Sequence, residues 1–172
     1  MATQLALTAA GFDGRHRYGR LDAVAIPSRI DIEAAAARLD GRIRRTPTVE
    51  IEASDLGVAG GPRSLLLKLE HLQHAGSFKA RGALNALLDS DRTGGEVVAA
   101  SGGNHGVAVA WAARVVGRAA HIFVPEIAAP AKIERLRELG AVVHQTGADY
   151  GEALAASDRF RVGRDLTTVH AF

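Results

Sequence analysis

Lys79 stands in the run Ser77-Phe78-Lys79-Ala80-Arg81-Gly82-Ala83, at the expected start of a helix that follows a strand. A neutral lysine amine attacks an aldehyde to form a Schiff base, and an arginine cannot. The chain carries only three lysines, Lys68, Lys79 and Lys132, among 21 basic residues, so a lysine here departs from the prevailing use of arginine. A helix start presents unpaired N–H groups and the positive end of the helix dipole, which disfavours the ammonium form and leaves a nucleophilic amine. Taken alone, Lys79 reads more readily as a solvated helix lysine, the usual fate of that side chain.

A second run, Ser101-Gly102-Gly103-Asn104-His105-Gly106, has the composition of a strand end, a tight turn and a helix start. Glycines let the backbone approach a ligand closely, and successive N–H groups at the helix start can grip a carboxylate or phosphate. The spacing of Gly102, Gly103 and Gly106 matches neither the dinucleotide fingerprint G-x-G-x-x-G nor the P-loop, which needs a following Lys-Ser/Thr. A plain turn is the alternative. Asn104 and His105 weigh against it by adding polar side chains at the mouth.

Other chemistries have less support. With no cysteine, disulfides, thiolate metal sites and cysteine nucleophiles are excluded. The histidines His16, His71, His74, His121, His144 and His170 are scattered, and His71 with His74 lacks a third ligand nearby in sequence, so no metal is expected. Gly-x-Ser-x-Gly is absent, which removes the nucleophile elbow. With a net charge of +2, and with neither Arg15–Arg20 nor Arg42–Arg45 interleaved with the series of aromatics that makes a single-strand stacking platform, nucleic acid is not implied. No apolar run approaches the length of about 20 residues that spans a bilayer, and the first ten residues lack the cationic start of a signal peptide. The expectation is a cytoplasmic protein without a membrane partner.

The elements that must position these residues alternate. Residues 1–27 show no sustained periodicity and end at Pro27, which predicts a loosely ordered extension before an α/β unit over 28–172. Ser28 can cap a helix through Leu39, with Ile32, Ala35, Ala36 and Leu39 on one face and Gly41 as the stop. An extended stretch opens at Thr46-Pro47. Ser64–Leu69 reads as a buried strand, and Ser77–Leu88 as a helix with apolar positions Phe78, Leu84, Leu87 and Leu88. Strands then follow at Glu96–Ala100, His121–Val124, Ala141–Gln145 and Thr167–Phe172. Helices are expected at Asn104–Val116, Pro130–Leu139 and Asp149–Phe160. Repeated strand–helix units predict an α/β fold, a mainly parallel sheet with helices on both faces. The last strand closes the chain with no helix after it, which reads as a fold cut short.

Together, Lys68-Leu69-Glu70-His71-Leu72-Gln73-His74-Ala75-Gly76-Ser77-Phe78-Lys79-Ala80-Arg81-Gly82-Ala83 and Ala100-Ser101-Gly102-Gly103-Asn104-His105-Gly106 resemble the two N-terminal signatures of the serine/threonine dehydratases, which are fold-type II pyridoxal-phosphate enzymes. The resemblance runs from about Ser28 to Phe172 and includes Val124-Pro125 through Lys132 and Gly147-Ala148-Asp149-Tyr150. It implies pyridoxal 5'-phosphate as cofactor, carried by Lys79 as a Schiff base, with Lys79 also shuttling protons. Phe78 would pack at the cofactor, Asn104 would hydrogen-bond its ring hydroxyl, and Ser101, Gly102, Gly103, Asn104 and His105 would hold the substrate carboxylate. The implied reaction removes the α-proton and β-hydroxyl of a 2-amino-3-hydroxy acid, serine or threonine, and yields a 2-oxo acid and ammonia. A related racemase is similar but has serine at the place of Gly102, so elimination is expected over racemisation.

In that family a glycine-rich loop for the cofactor phosphate and a residue facing the pyridine nitrogen both lie in the C-terminal half, beyond the stretch that resembles this chain. Three readings therefore stand side by side. The chain is a dehydratase of small amino acids, an inactive fragment exposing apolar surface, or a half that pairs with a separate C-terminal piece. A homodimer is the further expectation of the resemblance.

Overall fold

The computed structural model describes residues 26–57, 60–89 and 95–170. The extension expected over residues 1–27 lies outside the described residues except for its last two. Helix α1 (Arg29–Leu39) starts where a capping box allows: the Asp31 N–H donates to the Ser28 hydroxyl, and the Asp31 carboxylate accepts from the Ser28 N–H at 2.8 Å. Its predicted apolar face is mostly open, since Leu39 alone is buried and Ile32 is 61% exposed. The 3.6-residue pattern identified the helix but not how little of it is covered.

Strands β1 (Thr48–Glu52) and β2 (Ser64–Lys68) pair antiparallel as a two-stranded ribbon, with Val49 opposite Leu67 and Ile51 opposite Leu65. The buried strand expected at Ser64–Leu69 is thus corrected: β2 lies in the ribbon, apart from the parallel sheet, with Leu66 70% exposed. A short run of leucines has the same composition whether one face, both or neither is covered, so only the partner strands decide.

Helix α2 (Lys79–Leu88) buries Ala80, Ala83, Leu84 and Leu87, while Phe78, expected among its core positions, precedes it and is 60% exposed. From there the expected alternation holds. Strand β3 (Glu96–Ala100), helix α3 (Asn104–Val115), β4 (Ala120–Val124), α4 (Pro130–Glu138), β5 (Val142–Gln145), α5 (Tyr150–Arg161) and β6 (Leu166–Thr168) follow in turn. The four strands form a wholly parallel sheet in the order β5-β4-β3-β6.

The central strands read as continuous apolar runs because both faces are covered. Val97, Ala99, Ile122 and Val124 join one core with α2, α3 and α4, and Val98, Ala100 and Phe123 join the other with Leu154 and Phe160 of α5. The chain steps outward from β3 through β4 to β5, then returns behind the sheet through α5 to place β6 on the other side of β3. The order therefore reverses at β3. In open parallel sheets that reversal opens a crevice at the carboxyl ends of the strands, where ligands bind. The segment Ser101–Gly103 leaves β3 at this place.

Candidate functional site

The turn after β3 is built on close backbone approach. A Cβ on Gly106 would lie 1.9 Å from the Ser101 carbonyl oxygen, so only glycine allows the first turn of α3 to fold back on the strand end. Gly103 precedes α3 as its N-cap without a side-chain cap, and its own N–H donates to the Ser101 hydroxyl at 3.2 Å. That N–H, counted in sequence among the anion-gripping groups, already has a partner. The N–H groups of Asn104, His105 and Gly106 remain at the uncapped helix start. Around Gly103 a Cβ would meet only the Ser101 hydroxyl, at 3.9 Å, so the space over the turn is open. Asn104 is exposed at the first position of α3, and Ser101 and Gly102 are half-buried.

His105 does not place its ring at the mouth of the turn as its polarity suggested. The imidazole is buried, and its Nε2 lies 3.0 Å from the carbonyl oxygen of Val169 at the exit of β6. Burial, aided by the charges of Lys79 and His170, outweighs the Val169 contact and pushes the ring below the usual histidine range. The neutral ring then donates Nε2–H to Val169, and its backbone N–H is what His105 offers to an anion. One side chain so ties the β3 turn to the β6 exit across the sheet reversal.

Lys79 begins α2, which packs along α3, and its charge is near enough to act on His105. Its Nζ lies 5.4 Å from the centre of the Phe78 ring. The structure thus brings Lys79, Phe78 and the start of α3 to one region. A second link comes from His74, whose ring stacks on Trp111 of α3 with centroids 4.9 Å apart. The backbone reaches α2 through Ala75 and Gly76, both left-handed at φ +61° and +72°. Ala75 bears the steric cost of that conformation.

Ser77, two residues before Lys79, is buried, and its hydroxyl has no hydrogen-bond partner among the described residues. An unpaired buried hydroxyl costs about 1–3 kcal/mol. Ser77→Ala is therefore expected to raise the thermal midpoint by roughly 2–4 °C for each kcal/mol relieved. Melting curves followed by circular dichroism check this, and a lower midpoint would mean that the hydroxyl is satisfied in solution.

The polar network beneath Lys79 was not legible in sequence. Arg81 forks onto Glu70, Nε to Oε2 and Nη2 to Oε1, both at 2.7 Å, and the Thr46 hydroxyl donates to Glu70 Oε1 at 2.6 Å. Held chiefly by the Arg81 hydrogen bonds against the opposing effect of burial, the Glu70 carboxyl falls from its ordinary 4.5 to about 2. Gln73, also buried, spans Arg44 by accepting from its N–H at 3.0 Å and donating to its carbonyl at 2.9 Å. At the far end of the sheet two histidines read as scattered meet: His121 Nδ1 lies 2.9 Å from His144 Nε2, and His121 Nε2 lies 3.1 Å from Glu96. Among the described residues no group of three His, Cys, Asp or Glu side chains is arranged to hold a metal ion. No described helix is long and apolar enough to cross a membrane.

The family described as pyridoxal-phosphate dependent enzyme matches residues 39–172. The chain belongs to that family. Among relatives, the L-threonine ammonia-lyase of Geobacter sulfurreducens is 36% identical over 145 residues, covering 82% of this chain and 35% of its own. The catabolic L-threonine dehydratase of Staphylococcus aureus (strain USA300) is 36% identical over 145 residues, covering 83% and 41%. Among solved structures, a threonine deaminase from T.th. superposes with a TM-score of 0.73 at 36% identity, covering 85% of this chain and 46% of its own. A maize serine racemase follows at 0.70 and 33%, covering 81% and 42%. The chain thus spans less than half the length of these relatives and matches their N-terminal part, and its parallel sheet with helices on both faces is the fold-type II architecture.

The residues at the sheet reversal suit the group after which this family is named. Pyridoxal 5'-phosphate is an anion that carries an aldehyde. The described donors are an amine at Lys79, uncapped N–H groups at the start of α3 and open space above Gly103.

Proposed function

We propose that this chain holds pyridoxal 5'-phosphate on Lys79 and takes part in the dehydration of serine or threonine to a 2-oxo acid and ammonia, in the cytoplasm. The observation that carries the reading is the convergence of Lys79, at the start of α2, with the uncapped start of α3 at the sheet reversal. When bound, the cofactor supplies an electron sink for the pair left by α-proton removal. Lys79 is assigned the covalent hold on the cofactor and the movement of the α-proton at its Nζ. The exposed ring of Phe78 lies beside that amine and is assigned a flat apolar wall for the cofactor. Asn104, exposed at the first position of α3, is assigned the hydrogen bond to the cofactor's ring hydroxyl. The turn Ser101-Gly102-Gly103-Asn104-His105 is assigned the substrate carboxylate, through the N–H groups that lack partners.

Elimination is favoured over racemisation by Gly102. A Cβ there would meet Val124 Cγ1 at 3.6 Å and Ala128 Cβ at 3.8 Å, which is ordinary contact. Space does not demand glycine at this position, so the lack of a side chain removes an acid from the substrate's second face for no packing gain.

A second reading is that activity needs a polypeptide equivalent to the relatives' remaining length, as a complementing C-terminal half. The β1–β2 ribbon favours it, because an isolated two-stranded ribbon is marginal in water and this one leaves Leu66, Leu67 and Val49 exposed. The test is ammonia and 2-oxo acid release from serine and threonine, measured with the chain alone and after adding the C-terminal part of a relative. Release in either arm that is lost in Lys79→Ala supports the assignment. No release in both arms refutes it, and release only on mixing selects the second reading.

A further inference from the structure

Glu70 and Arg81 have no assigned part in the chemistry, yet their pair sits under the one residue on which it depends. Helix α2 starts without a side-chain cap, and its first turn is closed by the bonds from the Ala80 N–H to the Ser77 carbonyl at 3.3 Å and from the Arg81 N–H to the Phe78 carbonyl at 3.1 Å. Uncapped first turns fray. Successive helical residues are about 100° apart, so Arg81 leaves the axis roughly 200° from Lys79, on the opposite side. A fork that grips both oxygens of one carboxylate fixes direction as well as distance, which a single ion contact does not.

The grip is anchored in turn. Glu70 also accepts from the Thr46 hydroxyl and lies 3.8 Å from Lys68 Nζ, Lys68 donates to the Thr46 carbonyl at 3.1 Å, and Gln73 fixes Arg44 two residues before Thr46. The backbone entering α2 passes through two left-handed residues, Ala75 and Gly76.

We propose that Glu70 and Arg81 are positioning residues for Lys79: their pair locks the rotation of the first turn of α2 from behind, so that the amine faces the start of α3. The inference rests on Lys79 as the cofactor-bearing residue. Thr46 completes the lock by donating to Glu70 Oε1, the same oxygen that Arg81 Nη2 grips.

The test uses the chain's small number of lysines. Wild type, Glu70→Gln, Arg81→Met and Thr46→Val are each treated with pyridoxal phosphate, reduced with borohydride and digested, and the adduct on Lys79 is measured against that on Lys132, which is exposed on α4. Wild type should label Lys79 preferentially. The ratio should drop at least fivefold in Glu70→Gln and Arg81→Met and by a smaller factor in Thr46→Val. Thermal melts and hydrogen exchange over α3 show which variants remain folded, and the mildest substitutions decide if Arg81→Met does not fold. Lowered melting midpoints with an unchanged ratio in folded variants would make the pair merely structural and overturn the proposal. A wild type with no preference for Lys79, even when the C-terminal part of a relative is added, would sink the cofactor reading itself and this inference with it, a result distinct from preference kept by all variants.

Discussion

Gly106→Ala should destabilise the chain at or beyond the upper end of the about 1–3 kcal/mol typical of overpacking, and should abolish the turn after β3 in any molecules that still fold. The added Cβ would sit 1.9 Å from the Ser101 carbonyl oxygen, 3.0 Å from its carbon and 3.3 Å from Ile122 Cγ2. None of these can swing aside as a flexible side chain would. Ser101 is held by its N–H bond to the Phe123 carbonyl at 3.0 Å, and Ile122 is fully buried in the sheet. The fitting control is Gly82→Ala, in the middle of α2, where a Cβ meets nothing within 4 Å. There alanine should stabilise by about 0.5–1 kcal/mol, because glycine gives up more backbone freedom in a helix. Denaturant unfolding of the two variants checks the contrast, and equal midpoints would contradict the close approach at Gly106.

A large pH effect is expected from Glu70. Its carboxyl is held at about 2 in the folded chain against an ordinary 4.5, first by the Arg81 hydrogen bonds and then, with burial opposing, by Thr46 and the charges of Arg81 and Lys68. A carboxyl with a depressed folded pKa contributes stability that is complete above the unfolded value and is lost as pH falls through the folded one. The window therefore runs from about pH 4.5 down to about 2. The Glu70 side chain is 16% exposed and that of Arg81 31%, so solvent screens the pair in part and the contribution is reduced to on the order of 2 kcal/mol. Glu70→Gln should be less stable than wild type by that amount at pH 7, and the two curves should converge as pH approaches 2. Asp31, whose carboxyl is also lowered by Ser28, supplies a slope common to both proteins. Parallel curves would show that Arg81 gains nothing from the carboxylate's charge.

The elements that were legible in sequence are those with local signals. Ser28 announced the start of α1, Pro130 with Gly140 bracketed α4, and Glu96–Ala100 was readable as the strand β3. Lys79 and the Ser101–Gly106 turn stood out because their residue types are costly or unusual at a helix start. What sequence did not disclose depends on distant partners. The ribbon position of β2 is set by β1 across 12 to 20 residues, the exposure of Phe78 and Ile32 by which neighbours are present, and the direction of the His105 ring by Val169, 64 residues on. Arg81 reaches Glu70 across 11 residues and Glu70 reaches Thr46 across 24, and no periodic pattern marks either pairing. His121 and His144 look unrelated until two parallel strands bring them together.

The most direct test of the central claim is a titration of the purified chain with pyridoxal phosphate, following the visible absorbance of lysine-bound cofactor before and after borohydride, with Lys79→Ala as control. The account predicts a saturable band in the wild type that reduction fixes onto Lys79 and that Lys79→Ala lacks. A band of equal size in Lys79→Ala, or none in the wild type even when the C-terminal part of a relative is added, would contradict it.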